Sequence, residues 1–302
     1  MEQPLRFHQA LTFLPVDEAI AISTASDRLG YDGAFVSDHL FNPRQLSSRY
    51  TYSTTPDGSP FWEKETAWPD PMCLISALAA VTRRMTFTTG IYIAPARDLI
   101  TVAKSVGTAS VISHGRVRLG VGVGWCEEEY AQTGQDFRTR GRRLDEMIPA
   151  LRALWSGGWV EWHGTYYDVP ACQMNPSPPG PVPILGGGDS DAALRRATTL
   201  CDGWINTGAV TTDEAFVQVE RVKDWLKRAG REREPYSIYV AVSSRPDADL
   251  YRRLADAGVT DLLCAPWMGA MPADGQLDED VRATRIEYCE LFAEHVMARV
   301  NA

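Results

Sequence analysis

Residues 5–36 read LRFHQAL (Leu5–Leu11), TFLPVDE (Thr12–Glu18), AIAISTASDRL (Ala19–Leu29), GYD and GAFV (Gly33–Val36). Leu5–Leu11 is an apolar, strand-like run. Behind it Ala19, Ile22, Ala25 and Leu29 recur every three or four residues, the period of one face of an α-helix. Asp17 stands where an N-cap is wanted and Gly30 where a left-handed C-cap is wanted. Gly33–Val36 then reads as a second strand. A strand, a helix and a strand in this order imply parallel pairing through a right-handed crossover. No G-x-G-x-x-G follows the first strand, where a dinucleotide fold would place it.

The same unit repeats along the chain. Strand-like runs recur at Met85–Ile93, Val117–Val123, Val182–Leu185, Gly203–Asn206, Ser237–Val242 and Val259–Cys264, making eight with the first two. Helical stripes lie between them, such as Leu144, Met147, Leu151 and Leu154. Thr211 and Glu214 are spaced as a capping box ahead of Phe216, Val219, Val222 and Leu226, with Gly230 behind. A last helix is expected from about Asp280 to Val300. Eight such units form either an open doubly wound sheet or a closed barrel. The missing glycine turn and the absence of any linker-like break favour an α/β fold with one (β/α)8 TIM-type barrel over residues 1–302.

Composition limits the function. The chain has 302 residues, 44% hydrophobic and 23% charged, as in ordinary globular domains. Its net charge of −9 disfavours nucleic acid and anionic lipid as partners. No apolar stretch approaches the ~20 residues of a membrane span. Met1-Glu2-Gln3-Pro4 lacks the basic-then-apolar order of a signal peptide, so a cytoplasmic location is expected. The six cysteines are scattered without C-x-x-C and read as reduced thiols; the five histidines show no ligand spacing, so no metal is expected.

Two stretches depart from the eightfold pattern. Residues 41–70 follow the second strand, on the barrel face where active sites form, and carry Tyr50, Tyr52, Phe61, Trp62 and Trp68. That aromatic-rich insertion reads as a lid or a substrate wall rather than a solvated linker. Residues 159–181 lie at the opposite face and read as a long loop without chemistry.

Several groups at strand ends can carry chemistry. The second strand ends in Asp38 and His39, a carboxylate beside an imidazole that can exchange a proton. The plainer alternative has Asp38 bridging and His39 packed under the insertion. The fourth run, RLGVGVGW (Arg118–Trp125), has alternate glycines that would let a flat group lie on the main chain. Gly90 interrupts the third run and suggests a bulge near the mouth. Arg97, Asp98 and Lys104 behind it read as surface charge. Gly186-Gly187-Gly188 opens a helix and reads as an anion site; the alternative is a tight turn capped by Asp189 or Ser190. Cys126, followed by Glu127, Glu128 and Glu129, is a poor thiolate nucleophile because neighbouring carboxylates raise its pKa. The P-loop lysine and G-x-S-x-G are absent, which removes P-loop NTPases and α/β-hydrolases.

Taken in order, GYDGAFVSDH (Gly30–His39), TRRM leading to TGI (Thr89–Ile91), Arg116–Trp125, Phe137 with Arg140, WSG (Trp155–Gly157), PILGGG (Pro183–Gly188) and CDGW (Cys201–Trp204) resemble the luciferase-like monooxygenase superfamily. Within it the resemblance is to the branch using the deazaflavin coenzyme F420, over about residues 5–300. The resemblance implies a TIM-type barrel and commonly a homodimer. It implies that Asp38 and His39 touch the coenzyme, with His39 the catalytic acid. It further implies a cis Gly90–Ile91 bond behind the ring, coenzyme contacts from Val123 and Gly124, and a phosphate contact at Gly186, Gly187 and Gly188. Trp125 replaces the catalytic glutamate of the branch's sugar-phosphate dehydrogenases. Thr207 matches their substrate-side threonine, but Val210 replaces their lysine. The expected function is therefore hydride transfer between F420 and a small apolar or aromatic substrate, with Trp125 and Thr207 on the substrate side. An FMN-dependent monooxygenase consuming O2, and a non-catalytic flavin or deazaflavin binder, are the alternatives.

Overall fold

The computed structural model describes residues 4–53, 55–268 and 281–301, the last segment with side chains from Thr284. Residues 1–3 of the N-terminal stretch and Asp280, the expected start of the last helix, lie outside the described residues. β1 (Arg6–Ala10), β2 (Gly33–Val36), β3 (Thr86–Thr89), β4 (Val117–Val121), β7 (Ile184–Gly187), β8 (Gly203–Ile205), β9 (Ser237–Ala241) and β10 (Asp261–Cys264) are all parallel and close in the order β1-β10-β9-β8-β7-β4-β3-β2. These are the eight runs expected from the sequence, and the closed barrel is a TIM-type (β/α)8 fold. Around it lie α1 (Val16–Leu29), α2 (Pro71–Val81), α3 (Leu99–Ile112), α4 (Glu127–Gln132), α5 (Arg140–Leu154), α6 (Asp191–Leu200), α7 (Thr212–Arg228), α8 (Ala248–Asp256) and α9 (Val281–Phe292). Among the described residues no helix is long and apolar enough to cross a membrane.

Local chemistry explains most helix ends. Gly30 closes α1 at φ 93°, and Thr211 and Glu214 form the capping box that opens α7. Asp17 is not the cap of α1: Pro15 takes that position, and its fixed φ starts the helix one turn-position early. The third run is shorter than its composition suggests. β3 stops at Thr89 because the Gly90–Ile91 peptide is cis; the chain regains the sheet only at Tyr92, which bridges to Val121.

Residues 159–181 are a second correction. They hold an antiparallel hairpin, β5 (Val160–His163) against β6 (Asp168–Cys172). The Glu146 carboxylate on α5 accepts the backbone N–H groups of Thr165, Tyr166 and Tyr167 at 2.9–3.0 Å and fixes the turn. The two-residue alternation was present in the sequence, Val160 and Trp162 facing in and Glu161 and His163 facing out.

The lower barrel is closed by a polar lock. Asp261, fully buried, accepts two hydrogen bonds from Arg6 at 2.7 and 2.8 Å and pairs with His8 Nε2 at 2.7 Å. Burial alone would raise its pKa, but the bonds from His8 and Arg6 outweigh that and hold the carboxyl below the usual range. A depressed folded-state value means this stabilisation is present above roughly pH 4 and lost as the pH falls through lower values. Asp261→Asn is expected to cost about 3 kcal/mol, since it leaves Arg6 facing a neutral group, and to flatten the acid limb of the stability curve. Urea titrations at neutral and acid pH check both.

Candidate active site

The insertion after β2 lies across the C-terminal mouth of the barrel and builds an aromatic wall. His39 sits within it, with its ring 4.7 Å from Trp68, 5.4 Å from Trp62 and 5.7 Å from Trp125. Tyr50 joins Trp62 at 4.9 Å and Trp125 at 5.1 Å. Phe13, from the β1–α1 loop, packs edge-on to Trp68 at 5.5 Å and holds a positive φ of 67°. The insertion is therefore a wall, one of the two readings its composition allowed. A cavity of about 420 Å³ opens beside it, lined by His39, Trp62 and Trp125 and also by the charged Arg44, Glu63 and Lys64.

His39 is held by a buried carboxylate. Its Nδ1 lies 3.0 Å from Oε1 of Glu129 on α4, and the same oxygen accepts the Leu40 backbone N–H at 2.7 Å. Glu129 is fully buried and its second oxygen, Oε2, has no hydrogen-bond partner. Sequence reasoning used Glu129 only as a negative neighbour of Cys126. Its signal was the three glutamates directly behind the end of β4, the one place where a short helix can aim a carboxylate across the mouth. The Cys126 thiol is pushed up to about 12, by burial first and then by Glu129 and Glu128, which fits its rejection as a nucleophile.

Asp38 behaves as the plainer alternative had it. Its carboxylate takes both Arg97 nitrogens, at 2.7 and 2.9 Å, and the Ile93 N–H at 2.8 Å. With those bonds made, its side chain anchors the chain after β3. Arg97 is accordingly not surface charge: it is largely buried and lies over the Tyr92 ring at 4.2 Å. Asp98 caps α3 through the Thr101 N–H.

The glycines at the mouth are tightly packed against neighbouring side chains. A Cβ on Gly122 would fall 2.1 Å from Ile91 Cδ1, and one on Gly187 2.4 Å from Ile91 Cγ2. A Cβ on Gly124, where φ is 64°, would meet Ile93 at 2.8 Å. Gly120 faces the Thr89 carbonyl and Ile205, while Gly186 and Gly188 face Ala197 and Ala193 of α6. Ile91 thus fills the notches of β4 and β7 and makes an apolar floor spanning β3, β4 and β7. Val123 accepts the Tyr130 hydroxyl at 2.6 Å on its carbonyl and ties α4 to that floor.

Across the mouth, Ser190 caps α6 through the Ala193 N–H, the turn alternative stated for the triple glycine. Asp189 accepts the Thr207 hydroxyl on Oδ2, and its Oδ1 is sealed without a partner. Burial raises the Asp189 pKa. Thr207 also meets the Tyr52 hydroxyl, so the insertion reaches from β2 to the end of β8. Arg221 of α7 pairs with Asp191 at the amino end of α6 at 3.0 Å. Val210 is engaged through its backbone with Ala241 and Ser243.

The insertion is pinned at its near end by Glu128, whose carboxylate accepts the backbone N–H and hydroxyl groups of Ser47 and Ser48 at 2.6–3.1 Å. Burial would raise its pKa, but those bonds hold it well below the usual carboxylate range. Glu128→Ala is expected to speed tryptic cleavage at the exposed Arg44 and Arg49 about tenfold, with cleavage elsewhere unchanged.

A branched apolar side chain over three strands and, at the same mouth, an imidazole among indoles suit a flat ring system. The sequence profile of the luciferase-like monooxygenase family matches residues 4–295. The chain belongs to that family. It is 35% identical over 296 residues to an uncharacterized protein of Mycobacterium tuberculosis, covering 98% of this chain and 100% of that one. It is also 29% identical to the F420-dependent glucose-6-phosphate dehydrogenase of Microbacterium testaceum, over 82% of this chain and 71% of the relative. Among solved structures, monooxygenase RslO1 from Streptomyces bottropensis superposes with a TM-score of 0.70 over 97% of this chain and 99% of its own, at 19% identity, a likeness of fold. Luciferase-like relatives thus include both deazaflavin oxidoreductases and monooxygenases.

Proposed function

We propose that the protein is a coenzyme F420-dependent oxidoreductase acting on small apolar or aromatic carbonyl compounds or enones. One observation supports this above the rest: the His39 imidazole is set among Trp62, Trp68 and Trp125, with Tyr50 packed on Trp62 and Trp125. A proton donor in an aromatic pocket serves reduction of an apolar carbonyl, where carbon gains a hydride and oxygen a proton. When bound, the coenzyme supplies or accepts the hydride at C5. Gly90, Ile91, Val123 and Gly124 would support the ring, with the Asp38 backbone and His39 at its edge. Gly186, Gly187 and Gly188, with Arg221 nearby, would meet its phosphate tail.

His39 acts in its protonated form: the imidazolium gives its Nε2 proton to the substrate oxygen and keeps its Nδ1–H on Glu129. Trp62 and Trp125 exclude water and hold the apolar body of the substrate. Trp125 and Val210 stand where the sugar-phosphate dehydrogenases of this branch carry a glutamate and a lysine, so a phosphorylated sugar lacks its partners. The test is anaerobic turnover of reduced F420 with cyclic enones, aryl ketones and, running in reverse, glucose 6-phosphate with oxidised F420. Turnover with the enones or ketones alone is the expected result. Turnover with the sugar phosphate alone overturns the substrate assignment, and turnover that requires O2 overturns the hydride-transfer assignment.

A further inference from the structure

We propose that Glu129 is a positioning residue that fixes which nitrogen of His39 carries the transferable proton; this rests on the reading of His39 as the acid. The Glu129 oxygen that faces Nδ1 also accepts the Leu40 N–H. Leu40 is the chain neighbour of His39, so the carboxylate holds the ring and its own backbone together. A carboxylate can only accept, so the neutral ring must present Nδ1–H to it. Nε2, on the other side of the ring, takes up the second proton, and the resulting imidazolium gives that Nε2 proton to the substrate. This is the logic by which an acidic residue holds a catalytic imidazole in one tautomer.

The support for Glu129 is itself rigid. Tyr130, next in the chain, is fully buried and bonds the Val123 carbonyl at the end of β4. The ring packs edge-on against Trp68, 4.7 Å from its centre. Glu129 Oε2, buried and unpartnered, leaves room for an amide NH2 in its place, so glutamine should preserve the acceptor.

The first arm of the test is spectroscopic and uses the coenzyme-free protein. With 15N-labelled histidine, at about pH 9 where an ordinary imidazole is neutral, His39 is expected as the Nδ1–H tautomer. Glu129→Gln should keep that signature, and Glu129→Ala should shift it toward Nε2–H. The second arm is a kinetic cycle of Glu129→Ala, His39→Ala and the double variant. Glu129→Ala is expected to lower kcat about 10- to 100-fold with KM little changed, and to add nothing in the His39→Ala background. The glutamine variant should recover most of the loss, which also answers any folding defect of the alanine variant. An unchanged tautomer in Glu129→Ala, or equal losses in both backgrounds, overturns the proposal while leaving His39 in place. Full turnover by His39→Ala removes the acid itself and the role assigned to Glu129, even if the tautomer responds as expected.

Discussion

His39→Ala is expected to lower turnover of the coenzyme-loaded enzyme by about 10²- to 10⁴-fold, the usual loss when a positioned acid is removed. Coenzyme affinity should stay within about tenfold, because a ring edge contact is lost but the floor is not. The fold should survive, since His39 packs into the wall of a site rather than into the barrel core, and its ring is partly open to the cavity. Alanine leaves the Glu129 oxygen with the Leu40 N–H as its remaining partner, so a small loss in Tm is expected. Stopped-flow oxidation of reduced F420 and fluorescence titration measure the two quantities separately. Unchanged turnover would remove His39 from the chemistry.

Gly90→Ala is expected to act on stability and coenzyme binding together. The added Cβ would lie 1.5 Å from Phe35 Cζ and 1.8 Å from Cε1. Phe35 has little freedom to retreat, because it is buried in the barrel interior with Leu185, Ile205 and Tyr239. Overpacking of this severity costs about 3 kcal/mol or more. In a chain of this size that corresponds to a Tm lower by about 5 °C or more. Since Gly90 precedes Ile91, displacement there also lifts the floor across β3, β4 and β7. Phe35→Leu in the same chain should restore part of the stability by clearing the space. Calorimetry of the two single variants and the double variant gives the answer. A Gly90→Ala protein as stable as wild type would show that Phe35 is free to move.

The barrel was legible because each strand–helix unit carries its own local signals. Leu5–Leu11, the stripe from Ala19 to Leu29 and Gly30 already define one unit, and a parallel sheet repeats it. The hairpin at residues 159–181 was missed because prolines around Pro176 and Pro179 mask a short period-two pattern. Within the site, position at a strand end singled out His39 and composition singled out the aromatic insertion, while the cis Gly90–Ile91 bond came from the family resemblance, the residues alone suggesting a bulge at Gly90. It did not identify Arg97, Glu129 or Phe13. Their roles depend on partners 59, 90 and some fifty residues away, at Asp38, His39 and Trp68, and no local pattern encodes such pairings. The glycines of β4 left their neighbours open for the same reason. Small residues announce a close approach without saying what approaches, and here it is Ile91 and Ile93.

The decisive measurement is a parallel fluorescence titration of the purified protein with oxidised F420 and with FMN under identical conditions. Micromolar binding of F420 with at least about tenfold weaker binding of FMN is expected, a gap of 1.4 kcal/mol or more. Preferential binding of FMN, followed by substrate-dependent oxygen uptake, would assign the protein to monooxygenase chemistry instead.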